Sequence, residues 1–350
     1  MTTPRASEAL DAVAVDTWLR AQVPFIAELQ KGAPAVKQFT GGASNWTYQL
    51  DYPGHALVLR RPPAGRKAKS AHDMGREYRV QSALAPHFPR VPEMVAHCAD
   101  PAVLGAEFYV MRRVDGLIPR KEMPMPCPPP LARRLCEQLG DCLVELHGVD
   151  LEAAGLAGLG RGAGYARRQI EGWSERYVQA RTWNVPDMAY VRSWLAERIP
   201  EDAGASLVHG DFRFDNVVLA ADAPEKIVGV LDWELATVGC PLMDLGNSLA
   251  YWVEADDDPV GRWLRRQPTH LPGMLSRADF VSRYFDRRGW PVRDFSFYEV
   301  YGMFRLAVIA QQIYQRWHLK QSKNPAFRHL WVVSHYLAWR CRRRIAAAPR

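Results

Sequence analysis

Two neighbouring stretches of the chain decide its fold: LVHGDFRFDNVVL, residues 207–219, and VGVLDWELATVGCPLMDLG, residues 228–246. Each contains a short run of apolar, largely β-branched residues, and the connection ADAPEK between them is rich in turn-forming residues. This pattern predicts a β-hairpin centred on Pro224. Because positions 216 and 232 are equally distant from Pro224, we expect Asn216 and Asp232 to lie opposite each other at the open end of the hairpin.

The hairpin predicts three oxygen-bearing side chains at one edge of a small sheet. Asp211 lies five residues before Asn216, on the loop that enters the first strand. Mg²⁺ takes such oxygen ligands while it keeps phosphate and water as its others. A carboxylate outside the metal shell can accept the proton of an attacking hydroxyl. The structural alternative is a turn at His209-Gly210-Asp211 followed by an Asx turn at Asp215 and Asn216.

The first hundred or so residues are predicted to form a small antiparallel sheet with one helix. Short β-branched and aromatic runs alternate there with Gly-Gly and Pro-Gly turn signals. An amphipathic helical pattern precedes them. The predicted strands are residues 36–39, 46–50, 56–60 and 105–114, and the predicted helices are residues 8–22 and 72–84.

Beyond Asp115-Gly116 the pattern becomes helical, at residues 131–149, 164–180, 187–199 and from about 278 onward. The hairpin is the only sheet that we predict in this part. The sequence therefore predicts an α+β protein with two lobes. Residues 1–114 form a small antiparallel-sheet lobe, and residues 115–350 form a larger, mainly helical lobe. The acidic run EADDD, residues 254–258, is interpreted as a solvated loop.

The composition favours a soluble, cytoplasmic protein. The 350 residues carry a formal net charge of +7, and the arginines are scattered apart from a short basic tail. The six cysteines have no zinc-binding spacing and are interpreted as reduced thiols. The N-terminus lacks an apolar signal region, and the apolar stretch 302–309 is interrupted by Arg305. With neither a nucleic-acid-binding module nor a basic stripe, we predict no nucleic-acid and no membrane partner.

The motif HGDxxxxN, followed by an Asp at a strand end, resembles the aminoglycoside phosphotransferase and choline kinase group, which is related to the protein kinases. The segment DWExAxxGxPxxDL is similar to the metal-binding segment of that group. SNxTY, LRRPP and HGDFRFDN resemble the branch that also occurs fused to some acyl-CoA dehydrogenases. The resemblance implies a bilobal, protein-kinase-like fold. It also implies ATP- and Mg²⁺-dependent phosphoryl transfer to the hydroxyl of a small molecule.

The same resemblance implies roles for the residues of the two motifs. Asp211 would be the catalytic base or the carboxylate that orients the acceptor hydroxyl. His209 would support its loop, and Arg213 would belong to the catalytic group. Asn216 and Asp232 would hold Mg²⁺ on the ATP phosphates. Asp244 would tie the loop to the following helix. Cys240 stands where the family usually has Asp.

The nucleotide would be bound mainly by the N-terminal lobe. The turn over the phosphates would be formed by Gly41, Gly42, Ser44 and Asn45. In the third strand, alternation puts Val58 and Arg60 on one face, so Val58 would cover the adenine while Arg60 reaches the phosphates. Relatives have Lys at this position, but Arg also binds phosphate oxygens. Its partner would be Glu77, and the alternative is a surface ion pair. Further adenine contacts are assigned to Met111, Val218 and Leu231.

Two other functions are alternatives to small-molecule phosphoryl transfer. A protein kinase is disfavoured because the chain has HGD in place of HRD and lacks DFG and APE motifs. A nucleotide-binding pseudoenzyme is the alternative to catalysis. The acceptor class is left open between a hydroxyacyl-CoA-like and an aminoglycoside-like alcohol. The tryptophans are interpreted mainly as core residues. Lining of an acceptor pocket is the alternative for three of them: Trp173, Trp233 and Trp252.

Overall fold

The computed structural model describes residues 10–29, 32–39, 45–63, 73–201 and 203–349. The chain divides into two compact units. The first unit contains Met1–Gly116 and Val228–Ala236, and the second contains Leu117–Ile227 and Thr237–Arg350. The segment 228–236 therefore belongs to the first unit although it is distant in sequence. The assignment of residues 1–114 to nucleotide binding and of residues 115–350 to catalysis and acceptor binding stays a prediction.

The first unit is built on a five-stranded antiparallel sheet with the strand order β1-β2-β3-β5-β4. Four of its strands (β1, β2, β3 and β5) and the helices α1 and α3 overlap the ranges that the sequence predicts, whereas β4 and the short helices α2 and α4 were not predicted. The strands are β1 (Ala35–Gln38), β2 (Trp46–Tyr52), β3 (His55–Arg61), β4 (Met94–Cys98) and β5 (Phe108–Arg112). The helices are α1 (Ala12–Gln22), α2 (Pro24–Ala27), α3 (Met74–Leu84) and α4 (Pro101–Leu104).

The side chains of β3 alternate between two apolar clusters. Leu57 and Leu59 join the main core of this unit together with residues of α1. Val58 packs instead with Met74 of α3. Since residues two apart in a strand share a face, Arg60 lies on the same face as Val58. The sheet thus presents the guanidinium of Arg60 towards α3.

The second unit is mainly helical. Its helices are α5 (Pro129–His147), α6 (Tyr165–Ala180), α7 (Ala189–Glu197), α8 (Pro241–Leu249), α9 (Pro259–Leu264), α10 (Arg277–Arg287), α11 (Ser296–His318) and α12 (Leu330–Ala346). The 23-residue α11 packs against α6, α7, α8 and α12. None of the described helices combines the length and apolar composition that a bilayer crossing requires.

Four short strands frame the loop that contains HGDFRFDN. They are β6 (Ser206–Val208), β7 (Val217–Leu219), β8 (Ile227–Val230) and β9 (Thr237–Gly239). The predicted hairpin is formed by β7 and β8, and the amide of Ala220 donates to the carbonyl of Lys226 (2.9 Å) in its turn. The prediction that this hairpin is the only sheet here is wrong, because β6 and β9 pair antiparallel. Each of those strands has only three residues, too few for a periodic pattern.

The acidic run at 254–258 is only in part the solvated loop that the sequence suggested, since Asp256 is exposed but its neighbours are bonded within the fold. Asp257 accepts two hydrogen bonds from the guanidinium of Arg277, at 2.7 and 2.8 Å. Asp258 caps the N-terminus of α9 and accepts a hydrogen bond from the hydroxyl of Tyr336 (2.8 Å). Arg277 thus neutralises Asp257, and Asp258 ties α9 to Tyr336 of α12.

Helices α8 and α11 approach each other closely at two glycines. A Cβ atom on Gly302 would collide with the backbone carbonyl of Gly246, and a Cβ atom on Gly246 would collide with the carbonyl of Tyr298. Neither obstacle is the end of a flexible side chain, so the helices themselves would have to separate. The position of α8, which carries Asp244, therefore depends on glycine at these two positions, where no Cβ atom separates the helices.

We expect Gly302→Ala to lower the free energy of unfolding by about 1–3 kcal/mol, because the added methyl overpacks the crossing of the two helices. Urea denaturation monitored by circular dichroism measures the change. Gly158→Ala is the matched control, since a Cβ there meets nothing within 4 Å. Equal stability of the two variants would contradict the close packing of α8 on α11.

Candidate active site

Arg60 forms a buried ion pair with Glu77 in the first unit. Its Nη1 lies 3.3 Å from Oε2 of Glu77, whose side chain is only 2% exposed. The hydroxyl of Tyr109 donates to the same Glu77 oxygen (2.9 Å), and the amide of Asn45 donates to Oε1 (3.2 Å). Burial raises the pKa of Glu77, while the charge of Arg60 opposes that rise. The alternative of a surface ion pair is therefore wrong, and the predicted partners Arg60, Glu77 and Asn45 lie together.

The same guanidinium also binds Asp232. Nη2 of Arg60 donates to Oδ1 of Asp232 (3.0 Å), and the Asp232 side chain remains 35% exposed. Asp232 has φ +69°, a left-handed conformation found at three non-glycine residues of the described chain. Aspartate tolerates this conformation better than most residues, and such strain is concentrated at functional sites. Arg60 thus fixes the carboxylate at the end of β8.

Two residues of this cluster were missed by the sequence analysis. Oε2 of Glu234 accepts a hydrogen bond from Asn45 (3.3 Å) and lies 3.9 Å from Nη2 of Arg60. The guanidinium of Arg76 donates to the backbone carbonyls of Glu234 (3.4 Å) and Ala236. The DWE segment itself was the available signal for Glu234, but no sequence pattern indicates the backbone contacts of Arg76.

The other residues predicted to bind the nucleotide are only partly covered by the structure. Val58 and Met111 are register partners across β3 and β5 and belong to one apolar cluster. Val218 is buried in β7, and Leu231 is partly buried. Their adenine contacts stay predictions, because a core position explains their burial equally well. Three predicted residues lie outside the described part of the chain: Gly41, Gly42 and Ser44.

In the second unit, Asp244 holds the backbone of the HGD loop. Its two carboxylate oxygens accept hydrogen bonds from the amides of His209 and Gly210, both at 2.8 Å. Nε2 of His147 lies 3.2 Å from Oδ2 of Asp244, and Nδ1 lies 2.7 Å from the hydroxyl of Tyr284. A carboxylate only accepts hydrogen bonds, so the His147 proton is on Nε2 and Nδ1 accepts from Tyr284.

These contacts also determine the protonation states of Asp244 and His147. Burial alone would raise the pKa of Asp244, but hydrogen bonds from His147 and the His209 amide hold it below the ordinary value of 3.8. Burial lowers the pKa of His147. The buried pair therefore consists of an ionised Asp244 and a neutral His147.

Asp211, the predicted catalytic residue, is fixed by neighbours on one side of its carboxylate. Its Oδ2 accepts from Nδ2 of Asn216 (3.1 Å) and from Nε of Arg213 (3.2 Å). Its backbone amide donates to Nδ1 of His209 (3.2 Å), and its carbonyl accepts a second hydrogen bond from Asn216 (2.8 Å). Arg213 also lies 3.1 Å from Asp215 and over the ring of Tyr251. The structure thus brings together the predicted residues His209, Asp211, Arg213 and Asn216.

Arg305 supports this loop from α11. Its Nη2 donates to the carbonyl of Gly210 (2.8 Å), and its guanidinium lies 5.2 Å from the centre of the Trp173 ring. Gly210 has φ +82°, which glycine adopts without the steric cost of a Cβ. From the sequence alone, Arg305 is only an interruption of the apolar stretch 302–309. A single arginine within such a stretch was itself a signal of a buried polar partner.

The tryptophans considered for an acceptor pocket differ in exposure. Trp252 is buried and packs against Phe214 and Phe280. Trp233 is also buried, and its ring contacts Phe88. Both belong to the core, so the pocket interpretation is wrong for them. Trp173 is partly exposed.

Comparison with known proteins identifies the family. The model of the Phosphotransferase enzyme family (APH) matches residues 35–292. The chain belongs to this family. It is similar to acyl-CoA dehydrogenase family member 11 of Gallus gallus, with 34% identity over 322 residues that cover 89% of this chain and 40% of that protein. This chain thus spans less than half the length of that relative.

Solved structures show the same fold. A Ralstonia eutropha protein provisionally assigned as an aminoglycoside phosphotransferase has 30% identity and a TM-score of 0.82, covering 98% of this chain and 100% of its own. The aminoglycoside phosphotransferase APH(4)-Ia, in a ternary complex with AMP-PNP and hygromycin B, has 17% identity and a TM-score of 0.59, covering 96% of this chain and 99% of its own. The predicted kinase-like α+β fold and the family resemblance, including its acyl-CoA dehydrogenase branch, are confirmed.

We expect Asp244→Asn to lower the free energy of unfolding at pH 7 by about 2–4 kcal/mol, because an amide cannot satisfy the same donors. Since the pKa of Asp244 is lowered in the folded protein, its contribution is complete above the unfolded value of 3.8 and is lost as the pH falls through the folded pKa. The free energy of unfolding of the wild type should therefore exceed that of the variant by a constant amount from about pH 7 to 5. This excess should become smaller only in stronger acid.

Urea denaturation across this pH range measures the difference. Asp141→Asn is the control, because Asp141 forms a partly exposed ion pair with Arg283 and its replacement should cost less than about 1 kcal/mol. A difference that already narrows near pH 6 would show that the Asp244 carboxylate is not the stabilising group.

Proposed function

We propose that this chain transfers the γ-phosphoryl group of ATP to a hydroxyl of a small molecule in a Mg²⁺-dependent reaction. The observation that carries the proposal is the geometry of Asp211. Asn216 and Arg213 both donate to Oδ2, and the side chain is 17% exposed. The other oxygen, Oδ1, is then the atom that can accept the proton of an alcohol. Membership of the phosphotransferase family supports this assignment.

The loop supplies positioning for that step. Asp244 fixes the amides before Asp211, Arg305 fixes the carbonyl of Gly210, and Asn216 fixes the carbonyl of Asp211. A carboxylate held in this way needs little reorganisation when the hydroxyl arrives. Arg213, which is paired with Asp211 and Asp215, helps to hold the Asp211 side chain in place.

Arg60 is proposed to bind the phosphates of the nucleotide. Its guanidinium is kept in place by Glu77 and Asp232. Arginine offers five donors in a fixed planar arrangement, so some remain for phosphate oxygens while others bind carboxylates. The relative solved with AMP-PNP supports nucleotide binding by this fold. Val58 and Met111 are proposed to contact the base, with Gly41, Gly42, Ser44 and Asn45 near the phosphates.

The residues proposed as metal ligands have suitable chemistry. The Asn216 side chain makes both of its hydrogen bonds with described residues through its nitrogen, so its carbonyl oxygen is the atom that it can offer to a cation. Asp232 is a partly exposed carboxylate in a cluster with Glu77 and Glu234, where acidic groups outnumber the guanidinium of Arg60. Oxygen donors with excess negative charge suit Mg²⁺, which would neutralise charge on the phosphates. The sharing of one ion by Asn216 and Asp232 stays a prediction.

The acceptor is proposed to be a small alcohol. The relative named acyl-CoA dehydrogenase family member 11 favours a hydroxyacyl-CoA-like acceptor, whereas the relative bound to hygromycin B favours an aminoglycoside-like one. A screen of Mg²⁺-dependent ATP consumption against alcohols of both classes tests the function. Nucleotide binding without turnover of any alcohol would instead favour a pseudoenzyme.

With the best acceptor from that screen, we expect Asp211→Ala to lower kcat by about 10²–10⁴-fold, the usual contribution of a general base. ATP affinity, measured by calorimetry, should change little because Arg60 and its partners are intact. Asp222→Ala makes the same charge change at an exposed site in the hairpin turn and serves as the control. Normal turnover by the Asp211 variant would refute the role of this carboxylate.

Replacement of Asp232 should act on the metal instead. We expect Asp232→Ala to abolish the gain in ATP affinity that Mg²⁺ gives, and Asp232→Asn, which tolerates the left-handed backbone, to weaken Mg²⁺-dependent binding by at least about tenfold. Calorimetric titrations with and without Mg²⁺ measure both effects. If the Asn variant keeps the full dependence on Mg²⁺, Asp232 is not a metal ligand.

A further inference from the structure

Two arginines contact the ring of Trp173 near the catalytic loop. The guanidinium of Arg176, on α6, lies 3.9 Å from the ring centre, and that of Arg305, on α11, lies 5.2 Å from it. Nε1 of Trp173 donates to Oε1 of Gln169 (3.0 Å), which orients the indole. Two guanidinium groups therefore make cation–π contacts with the same indole ring.

Within the described part of the second unit, neither arginine has a carboxylate within ion-pair distance. Other arginines of this unit do, as Arg277 with Asp257 and Arg283 with Asp141 show. Nε of Arg176 is buried and makes no hydrogen bond with a described residue. Burial lowers the pKa of Arg176, and the charge of Arg305 adds to that effect, whereas Tyr301 and Glu175 oppose it. The ring contact stabilises the cations only in part, so the charge of Arg176 is not neutralised by a described carboxylate at ion-pair distance.

Arg305 of this arginine pair contacts the loop that carries Asp211, the proposed catalytic carboxylate. Arg305 binds the carbonyl of Gly210, the residue before Asp211. Burial raises the pKa of Tyr251 to about 12, and the charges of Asp211 and Arg305 act on the same hydroxyl in opposite directions. Asp211 and Arg305 therefore both lie within electrostatic range of Tyr251. A ligand group bound by Arg176 would lie beside the loop that bears the catalytic carboxylate.

We propose that Arg176, supported by Arg305 and Trp173, binds a carboxylate or phosphate group of the acceptor. This inference rests on the proposed phosphotransferase function and assigns an anionic class to its acceptor. Arg176 is the residue that meets the anion, since it is partly exposed and its donors are not used by a carboxylate of the unit. Arg305 is a positioning residue, because it is 6% exposed and already bonded to the loop.

The first test compares matched acceptors in the ATP-consumption assay: 3-hydroxybutyrate, 3-hydroxybutyramide and 3-hydroxybutyl phosphate, together with the same three derivatives of longer hydroxy acids. The anionic members should be preferred over the amides, and the better of the two anions distinguishes a carboxylate from a phosphate. Arg176→Gln should raise KM for the preferred anion by about 10- to 100-fold, as expected for loss of a charged hydrogen bond, with little change in kcat.

Two further variants sharpen this test. Arg176→Lys should restore part of the affinity because it keeps the charge but not the planar donors. Arg343→Gln removes another arginine stacked on a tryptophan, Trp339, and should leave KM unchanged. Equal turnover of amides and anions by the wild type, or an unchanged KM in Arg176→Gln, would overturn the proposal while the phosphotransferase function stands.

A binding measurement covers the case in which no acceptor in the panel reacts. Calorimetry with inorganic phosphate and with acetate, in the absence of nucleotide, should show binding to wild type and Arg343→Gln that is lost in Arg176→Gln. Binding that all three proteins share, or that none shows, would overturn the anion subsite. Failure of the function itself would appear differently, as ATP consumption that no alcohol stimulates and that does not depend on Asp211.

Discussion

The buried carboxylate of Asp244 is the constraint on which the catalytic loop depends. Its side chain has no exposed surface, yet both oxygens are bonded, to two backbone amides and to His147. Burying a charge is costly unless all of its hydrogen bonds are made, so the loop cannot move away without exposing an unsatisfied carboxylate. The close approach of Gly246 and Gly302 then fixes the helix that carries it. Backbone geometry at His209 and Gly210 is thus determined from inside the helical core.

Much of the site was predictable from the sequence where a local pattern carries the geometry. Strand alternation put Val58 and Arg60 on one face, and the family resemblance then implied the pairing of Arg60 with Glu77 in the following helix. The spacing of Asp211 and Asn216 led to a loop in which the two side chains meet. In each case, the regular period of a strand or a tight turn converts positions in the sequence into positions in space.

What the sequence could not provide are contacts that depend on long-range packing. Arg305 is 95 positions from Gly210, and Arg76 is 158 positions from Glu234. No helical period relates such residues, since each hydrogen bond exists only because distant elements have packed together. The sheet of β6 and β9 was missed for a related reason, as three-residue strands are specified by their partners rather than by their own pattern. Acidic residues at 254–258 were misjudged because their arginine partner is 20 positions away.

Four carboxylates of the two clusters have proposed roles, and their exposure matches those roles. Glu77 and Asp244 are 2% and 0% exposed, and their oxygens are bonded to protein donors. A carboxylate in that state serves to hold other groups, since any new partner would have to displace an existing one. Asp211 and Asp232 are 17% and 35% exposed. Each is fixed by an arginine yet retains accessible surface, which is what proton transfer and metal binding require. Among these four residues, the buried carboxylates fix the geometry and the partly exposed ones are proposed to act on ligands.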